Sequence, residues 1–266
     1  MMTGRENIRR AIEFQGPAYL PSTVSVKLDW LYDQDESKRK RVRELSALFP
    51  ADQVLRVSPA DDREDLGSPE GVRRWRDQWG TGWEDDGHGA KTESHPLEQG
   101  YGALDGYPFP DPKRPGRFDA ADEQLQQRGD SYVLSVVWFT LFERLWMLRG
   151  FDNMLMDPYL DEANFSSLRD RVVDYNLGII DQWIRRDVDA VFFSDDWGSQ
   201  RGLLMNPDDW RRFYKPSYKK MFERVRAGGA HVWMHLCGDI RAILPDLIDI
   251  GLNVLNGVVK FTRIAV

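Results

Sequence analysis

The chain has 266 residues, a net charge of −7 and 41% hydrophobic residues, enough apolar content for one large α/β domain or two small ones. Its acidic balance, with a pI near 5.2, excludes the basic face on which nucleic-acid binders neutralise phosphates. One cysteine excludes an internal disulfide, and the charged start "MMTGRENIRRAIEF" lacks the apolar core of a signal peptide, so a cytoplasmic location is expected. The longest nearly apolar run, Val133 to Phe142, is about half of the ~20 residues that span a bilayer, so no membrane association is expected.

In chain order, "LPSTVSV" (20–26), "DQVLRVS" (52–58) and "SYVLSVV" (131–137) read as strands. The basic run Lys38 to Arg43 between the first two reads as the solvated side of a helix. Residues 69–115 are rich in Gly, Pro, Trp and Asp, and "RRWRDQWGTGWEDD" within them predicts a hairpin-like insertion in an otherwise single domain spanning 1–266.

The second half alternates helix and strand. Phe165, Leu168, Val172, Tyr175, Ile179 and Trp183 recur at spacings of three and four, which predicts a helix from about Asp161 to Arg186. "AVFFSDD" (190–196) is a short apolar run of the kind that buried parallel strands show. "NPDDW" then starts a helix with Asn206 as N-cap, and Pro216 is expected to kink it before Gly228 and Gly229 end it. The strand "HVWMHLC" follows, then a helix capped by Asp239 and running to about Ile250, then the strand "NVLNGV" (253–258). About six parallel strands with crossovers suit a (β/α) barrel better than an all-α or all-β fold.

Alternation along "HVWMHLC" puts His231, Trp233, His235 and Cys237 on one strand face, and Val232, Met234 and Leu236 on the other. His235 and Cys237 lie at the C-terminal strand end, where barrels build their active sites. Two positions apart on one face means Cα atoms roughly 6.6 Å apart, from which both side chains can reach a metal at bond lengths of about 2.0 and 2.3 Å. The same pair also matches a buried histidine beside an inert cysteine. Asp195 and Asp196 end the preceding strand and point to opposite sides, so at most one looks into the barrel mouth while the other caps a turn. Both are candidate catalytic residues, with Trp138, Phe139 and Trp197 as candidate substrate contacts.

The ordered series "FERLWMLRGFDNMLMD", "DAVFFSDDWGSQRGLLMNPDDWRRFYKPSYKKMF", "GAHVWMHLCGDI" and "LIDIGLNVLN" resembles the uroporphyrinogen decarboxylase (URO-D) superfamily, in particular its corrinoid-dependent methyltransferase-like branch. The resemblance runs from about Arg5 to Asn256 and implies a TIM-type (β/α)8 barrel. It implies zinc bound by a His-x-Cys pair plus a later cysteine, with the metal activating a thiol that exchanges a methyl group with a corrinoid (cobalamin); His235 and Cys237 match the pair. A corrinoid protein and a small-molecule substrate are then the implied partners, and a homo-oligomer is compatible with the family. Decarboxylases of the family proper carry an arginine-rich signature where this chain reads "VSVKLDWLYDQ", with Lys27 and no arginine. Decarboxylation of a porphyrinogen is therefore the alternative activity. After "GLNVLN" the family pattern continues through about two more βα units with the last cysteine, whereas this chain has Gly257 and ends at Val266. It reads as a truncated or frameshifted member lacking its last βα units, and an inactive binding remnant is a third expectation.

Overall fold

The computed structural model describes residues 2–21, 35–48 and 54–258. From residue 22 onward the strand expected at 20–26 lies outside them, as do Lys27 and residues 259–266. The basic run lies in a helix, α2 (Glu36–Leu48).

The α/β expectation holds. A parallel sheet of five strands runs in the order β1 (Val54–Val57), β6 (Tyr132–Val137), β7 (Ala190–Ser194), β8 (His231–Cys237) and β9 (Val254–Val258). The predicted barrel is not closed. Among the described residues β1 and β9 are open edges of this sheet, and closure requires every edge to be paired. A second, antiparallel sheet of four strands is formed by β2 (Arg63–Gly67), β3 (Arg73–Asp77), β4 (Gly82–Asp85) and β5 (Ala90–Ser94). Its central hairpin pairs Trp75 with Trp83, as "RRWRDQWGTGWEDD" suggested, and it begins at Arg63, before the expected Pro69.

Strand alternation divides the core. On the helix side, Val133, Val191, Phe193, Val232, Met234 and Leu236 are buried with Leu168, Ile179 and Trp183 of α6 (Glu162–Ile184) and Tyr218, Phe222 and Val225 of α8 (Lys215–Ala227). Asp161 caps α6 by accepting from the Asn164 amide at 3.3 Å, which matches the predicted boundary. On the inner face, Tyr132, Leu134, Val136, Ala190 and Phe192 pack with Trp233 and with Ile8 and Ile12 of α1 (Gly4–Ile12). The short α3 (Asp119–Gln126) leads into β6, and α5 (Phe151–Leu160) precedes α6.

Two helix expectations change. The single kinked helix is two, α7 (Pro207–Phe213) and α8, broken at Tyr214, with Pro216 in the first turn of α8. Proline lacks the N–H of an interior helical residue and its ring collides with the preceding turn, so Pro216 sits where that N–H is not needed. Asp239 does not cap the next helix. Its carboxylate accepts from the Arg241 amide at 3.1 Å and pairs with the Arg241 side chain, while α9 (Leu244–Asp249) starts at Leu244 with Pro245 in its first turn. Among the described residues no helix is long and apolar enough to cross a membrane.

The N-terminal end of the inner face is closed by α1. Asp189, fully buried, accepts from Arg5 at 2.9 Å, Arg9 at 2.8 Å and the Val133 amide at 2.9 Å. His231 stacks on Tyr132, shares a 2.8 Å hydrogen bond with its hydroxyl, and meets Glu13 at 3.2 Å. Arg5 and Arg9 are partly exposed and regain water when the carboxylate is removed, whereas the Val133 amide loses its acceptor. Asp189→Ala is therefore expected to lower stability by about 2 kcal/mol, measured as the urea midpoint shift at constant m-value.

Candidate functional site

The C-terminal ends of β7 and β8 separate the two adjacent aspartates, as alternation requires. Asp195 points into the helix layer and is fully buried. Its carboxylate accepts from the amides of Leu141, Phe142 and Glu143 at 2.9, 2.8 and 2.7 Å, and from the Tyr218 hydroxyl. It therefore caps α4 (Phe142–Arg149) from a neighbouring strand, where a negative charge also suits the helix dipole. Both oxygens of this carboxylate accept hydrogen bonds from the start of α4 or from α8, so its part in the site is to hold α4, α8 and β7 in place.

Asp196 faces the other way. One of its oxygens accepts from the Cys237 amide at 2.7 Å, which leaves the second oxygen available. His235 Nε2 lies 3.3 Å from Cys237 Sγ. One ligand atom from each of Asp196, His235 and Cys237 falls within 4.8 Å of the others. The β8–β9 register pairs His235 with Asn256, whose Oδ1 is 3.5 Å from His235 Nδ1. An Nδ1–H directed at that oxygen leaves Nε2 with its lone pair toward Cys237.

Two glycines allow the strand ends to approach this closely. A Cβ on Gly198 would lie 2.6 Å from the Cys237 carbonyl oxygen, and one on Gly238, at φ +80°, would lie 2.3 Å from the Gly198 carbonyl carbon. The Asp239 amide donates to the Ser199 carbonyl at 2.8 Å across the same contact. Only residues without a Cβ fit this crossing, and the crossing sets the position of Asp196 against Cys237.

The electrostatics are those of crowded negative charge. Burial, then the charges of Asp195 and Asp196, push the Glu143 carboxyl from 4.5 up to about 9. Asp195 is also raised by burial, to about 6, but its hydrogen bonds oppose the shift, so Glu143 is the carboxyl that keeps its proton near neutral pH. Burial and the Asp196 carboxylate push the Cys237 thiol from 9.0 up to about 11. The thiol is thus held protonated near neutral pH and is no activated nucleophile by itself. Such a cluster is suited to a cation, which would reverse each of these shifts.

The aromatic candidates separate. Trp138, 48% exposed, stands on the inner side of β6 and meets Phe192 edge-on at 5.9 Å. Phe139, with φ +48°, turns toward Trp83 and Arg144. Both border a cavity of about 490 Å³ that also includes Ser58, Trp79 and Tyr175. Trp197 is fully buried between Trp210 and Tyr218, so it packs behind the site instead of contacting a ligand. Glu143 and Asn256 were not singled out from the sequence. Glu143 reaches the cluster only because Asp195 captures the first turn of α4, and Asn256 only through strand register.

The family model of uroporphyrinogen decarboxylase (URO-D) matches residues 137–257. The fold is similar to that of a methyltransferase from Methanosarcina mazei, at a TM-score of 0.65 and 17% identity, over 96% of this chain and 76% of that one. No curated protein matches the sequence.

A carboxyl whose pKa is higher in the fold than in the unfolded chain binds extra protons in the native state between the two values. Stability therefore falls as pH rises through that window, here from about 4.5 to about 9 for Glu143. In chelator-treated protein, Glu143→Gln is expected to flatten this decline and raise stability at pH 8 by on the order of 2 kcal/mol. Urea titrations at pH 5 and pH 8 measure it, and an unchanged slope would contradict the assignment of the proton to Glu143.

Proposed function

We propose that the chain is a methyltransferase-like member of the uroporphyrinogen decarboxylase superfamily, an enzyme moving a methyl group between a corrinoid and a thiol acceptor, with zinc held by Asp196, His235 and Cys237. The observation that carries this reading is the convergence of three donor types, carboxylate, imidazole and thiol, within 4.8 Å at the C-terminal strand ends.

The donor set fits the metal. Tetrahedral zinc with bonds of about 2.0 Å to nitrogen and 2.3 Å to sulfur places those atoms ~3.5 Å apart, against 3.3 Å between His235 Nε2 and Cys237 Sγ. Three protein ligands leave the fourth position open, the arrangement of catalytic rather than structural zinc. Asp196 stands where the sequence offers no second cysteine. Bound zinc would supply a Lewis acid that keeps an acceptor thiol deprotonated near neutral pH. The protein's own part is orientation: Asn256 sets the His235 ring, the Cys237 amide fixes Asp196, and the paired glycines hold both strand ends together. The inner face beyond His235 offers Trp138 and Phe192 as apolar walls, and a corrinoid carried by a partner protein fits this reading.

Zinc measured by plasma mass spectrometry after dialysis is expected at about one per chain, because three ligands of these types hold the metal through buffer exchange. Cys237→Ser and Asp196→Ala are expected to lose it, and Asn256→Ala to weaken binding by about tenfold through loss of the histidine's orienting partner. Methylation of an added thiol from methylcobalamin should follow zinc content across these variants. A chain that retains no zinc, or one whose zinc survives Cys237→Ser, would overturn the proposed ligand set, and metal-free conversion of uroporphyrinogen would support the decarboxylase alternative.

A further inference from the structure

Among the described residues, Arg56 has no carboxylate partner, and it lies on the inner face of the sheet. Its register partner on β6 is Leu134, which belongs to the inner-face cluster, so Arg56 projects to the same side of the sheet as His235. The guanidinium carbon lies 4.6 Å from the Trp138 ring centroid and 4.8 Å from that of Phe192. Among the described residues it forms no ion pair, whereas buried Arg144 and Arg149 are held by Asp77 and Asp157 at 2.8 and 2.7 Å. Burial alone acts on it and lowers its pKa, yet an arginine stays charged under such shifts. Phe192 in turn stacks on His235, with ring centroids 6.4 Å apart and planes 25° from parallel. One phenyl ring thus separates a cation with no ion pair among the described residues from a candidate metal ligand.

We propose that Arg56, seated on Trp138 and Phe192, binds the carboxylate of a substrate whose reacting end lies at Asp196, His235 and Cys237. This substrate class rests on reading that cluster as the reaction centre. Two rings fix the planar guanidinium, so its N–H edges remain for a ligand, and a planar carboxylate matches such an edge through two parallel hydrogen bonds. A phosphate dianion is disfavoured, because a single guanidinium would face its two negative charges. The aromatic pair orients Arg56 in advance, which reduces the ordering that binding requires.

The test compares 3-mercaptopropionate with 1-propanethiol by calorimetry on the zinc-loaded chain, on Arg56→Ala and on Arg56→Lys, with zinc content measured for each. Wild type is expected to bind the carboxylate thiol about tenfold or more tightly than the neutral one, the scale of one charge-assisted hydrogen-bonded pair. Arg56→Ala should bind both alike with its zinc retained, and Arg56→Lys should keep only part of the preference, since it retains charge but not the planar fork. Equal binding of the two thiols by zinc-loaded wild type, or a preference that survives in Arg56→Ala, overturns the proposal. If wild type holds no zinc, benzoate against benzyl alcohol is titrated instead. A benzoate preference lost in Arg56→Ala then supports the Arg56 subsite although the zinc reading has failed, and its absence overturns both.

Discussion

The burial of the Asp195 carboxylate is the constraint on which the site depends. An isolated charge in the core would be strongly unfavourable, and here three backbone amides and a tyrosine hydroxyl surround it. Those donors come from the start of α4 and from α8, so one side chain at the end of β7 fixes two helices to the sheet. Its effect on function is indirect but firm. Because adjacent strand residues face opposite ways, engaging Asp195 on the helix side leaves Asp196 free to face the site, where it meets the Cys237 amide.

The same geometry creates an electrostatic problem. Glu143 is drawn in with the first turn of α4 and lies beside two other carboxylates, and Glu143 and Asp196 act on the Cys237 thiol. The protein meets this by keeping protons on Glu143 and Cys237, a state that favours neither a free thiolate nor a cysteine nucleophile. A divalent cation would compensate the charge of this cluster in their place. Across the inner face, Arg56 is held by the Trp138 and Phe192 rings instead of by Asp196, so a positive and a negative group occupy separate stations on that face.

Much of this was legible in particular residues. The three- and four-residue spacing from Phe165 to Trp183 marked α6, because a single buried stripe along a helix leaves its period in the chain. The alternation in "HVWMHLC" put His235 and Cys237 on the inner face, and that holds because side-chain direction in a strand is a local property. Local rules also had limits. Pro216 indicated a disturbance in the helix, but only packing around Tyr214 decided that two helices form instead of one bent helix. Asp239 had the form of an N-cap and instead paired with Arg241, because Pro245 placed the helix start later. Trp197 looked available beside two aspartates and is enclosed by Trp210 and Tyr218.

By itself, then, the sequence determined the five parallel strands between Val54 and Val258, the long helix α6, the α/β class, the opposed directions of Asp195 and Asp196, and the shared face of His235 and Cys237. Each of these follows from periodicity within one element. Only the tertiary structure decided which aspartate joins the site, that Asn256 stands beside His235, that Glu143 enters the charge cluster and that Arg56 shares its face. These depend on inter-strand register, on a helix start captured by a side chain more than fifty residues away, and on a glycine-to-glycine backbone contact between loops. Contacts of that kind arise between elements, and they leave no period in the sequence.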